Sequence, residues 1–130
     1  MNSYTFPFTR MRRTRAKKFV RNLVKENILT VNDLIYPVFI VDGIEKKEPI
    51  PEMPGLFRYS LDNLKKEIKN ILNLNISAIA IFPNISNTLK NTSGSEALNK
   101  NNIICRAIKL IKDTTSELGI VCDVALDPYT

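Results

Sequence analysis

A chain of 130 residues, 44% hydrophobic and 25% charged, has the length of one domain and the composition of a folded protein rather than a disordered one. It contains no apolar run of about 18 residues and no basic-then-apolar leader ending in small residues, so neither a membrane span nor secretion is expected, and the cytoplasm is the expected location. The net charge of +6 belongs to the head: residues 1–30 hold eight Lys or Arg against the single acid Glu26, while residues 31–130 hold eleven against twelve, and there is no histidine to act as the usual neutral-pH base.

Residues 1–13 carry Pro7, three aromatic residues and no periodicity, which predicts an extended tail. From Thr14 onward Ala16, Phe19, Val20, Leu23 and Val24 recur at helical spacing opposite a Lys and Arg face, predicting an amphipathic helix docked by one side. Residues 1–30 thus read as a basic N-terminal arm with its helix. The cluster MRRTRAKK suits either an arm lying in solvent or on a neighbouring subunit, or a grip on nucleic acid phosphates; no aromatic residue interleaves with it to stack on a base, which favours the arm and disfavours nucleic acid.

Beyond residue 30 the chain alternates apolar runs with helical patterns. DLIYPVFIV, residues 33–41, has the β-branched and aromatic profile of a strand buried on both faces, with Pro37 as a warning because proline cannot donate to a ladder. EKKEPIPEMPGLFRYS, residues 45–60, holds three prolines and a glycine and reads as an elaborated loop ending on Ser60 as a helix cap. Leu61, Leu64, Ile68, Ile71 and Leu72 then mark a helix face, and ISAIAIFP, residues 76–83, marks a second buried strand. After a polar loop, Ile104, Ala107, Ile108 and Ile111 define a further helix, with Gly119 expected as its left-handed cap, followed by a third strand in GIVCDVALD. Cys105 and Cys122 lie in apolar periodic segments without a CxxC spacing and are expected to be free, buried thiols.

Strands separated by helix-containing crossovers imply parallel pairing, either in an open doubly wound sheet or in part of an eightfold β/α barrel. No GxGxxG or GxxxxGK[ST] pattern follows the first strand, which disfavours a nucleotide-binding half. DPYT follows the last strand directly, with no helix to cover it, so the sequence is expected to be a piece of a longer fold.

The last stretch, VCDVALDPYT, carries two acids in an apolar setting. Alternation puts Ile120, Cys122, Val124 and Leu126 on one face, to meet helices, and Val121, Asp123, Ala125 and Asp127 on the other. In a β/α barrel that second face looks inward, and the carboxyl ends of the strands carry the chemistry. A buried ionised carboxylate needs a partner, so Asp123 is expected to have a cation or donor beside it. In an extended strand the two acids would lie about 13 Å apart, too far for a close dyad. Asp127 before Pro128 also fits an ordinary turn device.

Taken in order, RMRRTR, DLIYPVFI, EPIPEMPG, GSEA at residues 94–97 and CDVALDPYT resemble the N-terminal part of the porphobilinogen synthase (5-aminolevulinic acid dehydratase) family, from Arg10 to the last residue. The resemblance implies the first three βα units of a (β/α)8 TIM barrel over residues 31–130, preceded by the arm. It implies a hydro-lyase that condenses two 5-aminolevulinate molecules to porphobilinogen with loss of water, on the way to haem and other tetrapyrroles. The two lysines that form Schiff bases in that family lie on later strands, so this stretch alone is expected to be inactive. By the same resemblance Asp123 matches a catalytic aspartate that holds a substrate ammonium group. Ala125 and Asp127 stand where zinc-dependent members have cysteines, which disfavours zinc and points to Mg2+ or another hard cation, with Asp127 as its candidate ligand. The arm is implied to wrap a neighbouring subunit in a homo-octamer. The competing reading from the residues themselves is a small basic α/β module that binds RNA or another subunit.

Overall fold

A computed structural model describes residues 9–130, so most of the tail expected over residues 1–13 lies outside the described residues. Two short helices, α1 (Arg13–Ala16) and α2 (Lys18–Leu23), stand where one amphipathic helix was expected, because Lys17 between them is extended at φ −121° and ψ 148°. The apolar stripe is not docked: neither helix has a buried residue, and Phe19 and Leu23 are 62% and 81% exposed. Helices this short form too few backbone bonds to persist without packing, and this stripe finds no covering surface in the described chain.

After a 3-10 turn at Val31–Asp33, five strands form one sheet: β1 (Ile35–Val41), β2 (Lys47–Pro49), β3 (Phe57–Tyr59), β4 (Ala78–Asn84) and β5 (Gly119–Cys122), in the order β2-β3-β1-β4-β5. β1, β4 and β5 run parallel, as the helical crossovers require, through α3 (Leu61–Asn73) and α4 (Ile103–Thr114). The segment read as an elaborated loop contains the antiparallel hairpin β2–β3, whose second strand pairs parallel with β1 at Phe39 and Ile40 only. Pro37 therefore sits in an interior strand at a level where β3 supplies no ladder partner, which is how that strand tolerates it.

The register assigns the two faces. Val38 and Ile40 of β1 and Ile79 and Ile81 of β4 are buried against Leu64, Ile68 and Ile71 of α3 and Ile103, Ala107 and Ile111 of α4. Each such aliphatic side chain contributes about 1.5–3 kcal/mol on burial, so this single layer of helices over the sheet is the core. Tyr36, in step with Val38 and Ile40, donates its hydroxyl to Glu67 Oε1 of α3 at 3.3 Å, and burial pushes its phenol pKa up. Phe39, Ala80, Phe82 and Val121 alternate onto the opposite face, which no helix among the described residues covers.

Local chemistry explains the element ends, not always as expected. Ser60 stands fully buried at the N-cap position of α3, where its carbonyl accepts from the Leu64 amide at 2.8 Å, but its side chain makes no cap bond. Its hydroxyl accepts from the Lys46 amide at 2.9 Å and donates to the Lys46 carbonyl at 3.2 Å, tying the hairpin to the start of α3. α3 ends in a Schellman motif: Asn75 takes the left-handed conformation at φ 57°, its amide bonds the Leu72 carbonyl, and the Ile76 amide bonds that of Ile71. α4 starts on Asn102, whose side chain accepts from the Cys105 amide at 2.9 Å. Gly119 does not cap α4, which stops at Thr114; it opens β5, where an added Cβ would come within 3.3 Å of the Ser77 carbonyl oxygen.

Candidate active site

Because β1, β4 and β5 are parallel, their carboxyl ends gather at one end of the sheet, marked by Val41, Asn84 and Cys122. Register pairs Ile81 with Cys122, so Asp123 follows one step past the end of the ladder, near the level of Phe82 at the carboxyl end of the sheet. That level holds the stacked pair Phe39–Phe82, ring centroids 5.5 Å apart. The apolar side of β5 faces the helices, as alternation predicts.

The strand is shorter than the sequence suggested. β5 stops at Cys122, so Asp123, Val124 and Ala125 are irregular, and Asp127 begins a 3-10 turn, Asp127–Tyr129, with Pro128 inside it. Asp123 is exposed rather than buried with a partner, and Asp127 is exposed too. Val124 and Leu126, expected under the helices, are 100% and 60% exposed. The physical reason is the ladder: it ends at Ile81–Cys122, and past that point alternation no longer fixes a side chain. The spacing of about 13 Å between the two acids assumed an extended strand through residue 127 and does not describe this bent segment.

Cys122 is half-buried on the helix side, where burial, aided by the nearby Cys105 thiol, pushes its pKa up. Cys105 is exposed rather than buried, and both thiols are free. Among the described residues no three His, Cys, Asp or Glu side chains converge as a metal site. Ala125 offers no donor atom and Asp127 offers an oxygen, a donor suited to a hard cation rather than to thiolate zinc.

Sequence reasoning missed what holds this end together. Asp42, just past β1, forms an ion pair with Arg106 of α4. The polar loop after β4 folds back onto the final turn: the Asn91 amide donates to the Tyr129 carbonyl at 3.2 Å, and Tyr129 is buried. The only sequence signal was the GSEA stretch, whose Gly94 takes φ 59°. No described helix is long and apolar enough to cross a membrane.

Comparison with known proteins fits this geometry. The family profile described as Delta-aminolevulinic acid dehydratase matches residues 8–130. A Delta-aminolevulinic acid dehydratase of Bradyrhizobium diazoefficiens is 46% identical over 121 residues, covering 93% of this chain and 34% of the relative. One from Methanothermus sociabilis is 45% identical over 125 residues, covering 96% and 38%. A crystal structure of delta-aminolevulinic acid dehydratase (porphobilinogen synthase) from Toxoplasma gondii, in complex with the reaction product porphobilinogen, superposes with a TM-score of 0.84 at 38% identity, covering 94% of this chain and 34% of that one. The chain spans about a third of the length of these relatives, and its one-sided parallel sheet is the N-terminal portion of their β/α barrel. By profile, identity and superposition, the chain belongs to the delta-aminolevulinic acid dehydratase family.

Proposed function

We infer that this chain supplies the arm and first barrel strands of a porphobilinogen synthase, a cytoplasmic enzyme joining two 5-aminolevulinate molecules into porphobilinogen with loss of water. The observation that supports the reading is the carboxyl end of β5: Asp123 follows that parallel strand directly and is exposed there, at the edge of a sheet face that no described helix covers. In a barrel that face lines the interior and that end holds the chemistry. 5-Aminolevulinate carries an ammonium group, a ketone and a carboxylate. Asp123 is the group suited to the ammonium, through charge-assisted hydrogen bonds, and the stacked Phe39–Phe82 pair on the uncovered face offers an apolar wall.

Schiff-base chemistry needs lysines whose ammonium is desolvated enough to lose its proton. β1, β4 and β5 contain none, and Lys47 of β2 lies over the Phe57 ring at 4.4 Å in the hairpin. Those lysines are assigned to the part of the family's length beyond these residues. Asp127 is proposed as one oxygen donor to Mg2+ or another hard cation, which would supply charge compensation; the other ligands would come from the rest of the barrel. The exposed stripe of Phe19, Leu23 and Val24 is proposed to seat the arm on a neighbouring subunit of an octamer.

The test fuses this chain to the remaining two-thirds of the Bradyrhizobium relative. The fusion is expected to form porphobilinogen, and the 130-residue chain alone to form none. Losing a hydrogen bond to a charged group costs about 1.5–3 kcal/mol, so Asp123→Asn is expected to lower kcat/KM about 10- to 150-fold. Full activity in that variant would contradict the assignment. Weaker Mg2+ binding by the Asp127→Ala fusion in calorimetry would support the cation role; unchanged binding would remove it.

A further inference from the structure

We propose that residues 91–95 form a latch that positions the segment carrying Asp123 and Asp127, with Asn91 as the positioning residue. The inference rests on the reading of Asp123 as the group that holds a substrate ammonium. Its evidence is a set of bonds around one side chain. Asn91 Oδ1 accepts from the Ser93 amide at 3.2 Å, the Ser95 amide at 3.1 Å and the Ser93 hydroxyl at 2.8 Å, while Asn91 Nδ2 donates to Ser95 Oγ at 2.6 Å. The Gly94 amide closes the turn on the Asn91 carbonyl at 2.9 Å.

The turn so built does two things to the final segment. Its Asn91 amide holds the Tyr129 carbonyl at 3.2 Å. Gly94, at φ 59°, lies so close that an added Cβ would meet Thr130 Cγ2 at 3.5 Å, Leu126 Cδ2 at 3.6 Å and Tyr129 Cβ at 3.8 Å. The final segment is itself closed by the Tyr129 amide on the Leu126 carbonyl at 2.9 Å, and Tyr129 is buried. Residues 123–125 are therefore held at both ends: by the β4–β5 ladder at Cys122, and by the latch through residues 126–129. Asp123 has no partner of its own among the described hydrogen bonds and ion pairs, so these two anchors are what set its position. A displaced substrate-holding group loses its charge-assisted bond to the ammonium, which weakens substrate binding and raises KM.

Two measurements test this. In the 130-residue chain, Asn91→Ala is expected to speed amide exchange at Tyr129 at least about tenfold while Ile68 in α3 keeps its protection, and Asn91→Asp, which keeps the accepting oxygen, is expected to stay within about threefold of the parent. In the fusion described above, Asn91→Ala is expected to raise KM for 5-aminolevulinate at least about tenfold with kcat within about threefold, and Asn91→Asp to restore KM. A turn that merely aids folding would lower kcat by reducing the active fraction and leave KM alone. The proposal is overturned by unchanged Tyr129 exchange in Asn91→Ala, or by faster exchange with unchanged KM. Should Asn91→Ala lose protection throughout, Gly94→Ala replaces it, expected to loosen Tyr129 alone; unchanged exchange there overturns the latch. If the parent fusion does not turn over 5-aminolevulinate, the functional reading fails by itself, and the exchange arm still decides whether the latch holds the segment.

Discussion

At the scale of single residues, the two faces of one sheet give opposite expectations for similar side chains. Ile79 is fully buried under the helices, whereas Val121, one strand over and on the other face, is 47% exposed. Truncating a buried isoleucine removes its transfer energy and leaves a cavity, so Ile79→Ala is expected to cost about 2–5 kcal/mol in denaturant unfolding of the chain. Val121→Ala is expected to change stability by about 0.5 kcal/mol or less in the same assay. Equal costs would mean that the open face is covered. The proposed site residue lies just past the end of β5, where Asp123 is exposed; the proposal is that its surrounding walls come from elsewhere in the family's length.

At the scale of elements, helix ends depend on single backbone conformations. Asn75 holds the left-handed position that terminates α3, which glycine adopts without strain and a β-branched residue resists by about 1–2 kcal/mol. Asn75→Gly is expected to be neutral or mildly stabilising and Asn75→Val to lower the unfolding midpoint; the reverse order would remove the Schellman assignment. The long elements were legible from periodicity because burial is what creates it: β1, β4, α3 and α4 each carry one side packed in the core. What escaped was set by contacts that sequence does not encode locally. The β2–β3 hairpin hides among Pro49, Pro51 and Pro54 because its pairing partner, β1, is distant in sequence. β5 was read too long because DVALD continues an apolar alternation after the neighbouring ladder has ended. Asp123 was singled out by resemblance, though the alternation used to give it a face stops at Cys122, while Asn91 gave no signal because its bond reaches Tyr129 across 38 residues of chain.

The whole molecule is a sheet covered on one face, in a family whose matched relatives run about three times as long. The uncovered face presents Phe82 and Val121, and among the described residues β5 has no neighbour on its outer edge, features that a closing barrel would bury. The basic arm adds a second uncovered surface in Phe19 and Leu23. The proposal is that the open face is an active-site wall with Asp123 at its rim. A crystal structure of the fusion with porphobilinogen bound decides it. The Asp123 carboxylate is expected within about 2.7–3.2 Å of the product's amino group, on the face away from α3 and α4. Product bound elsewhere, or that carboxylate turned under the helices, would contradict it.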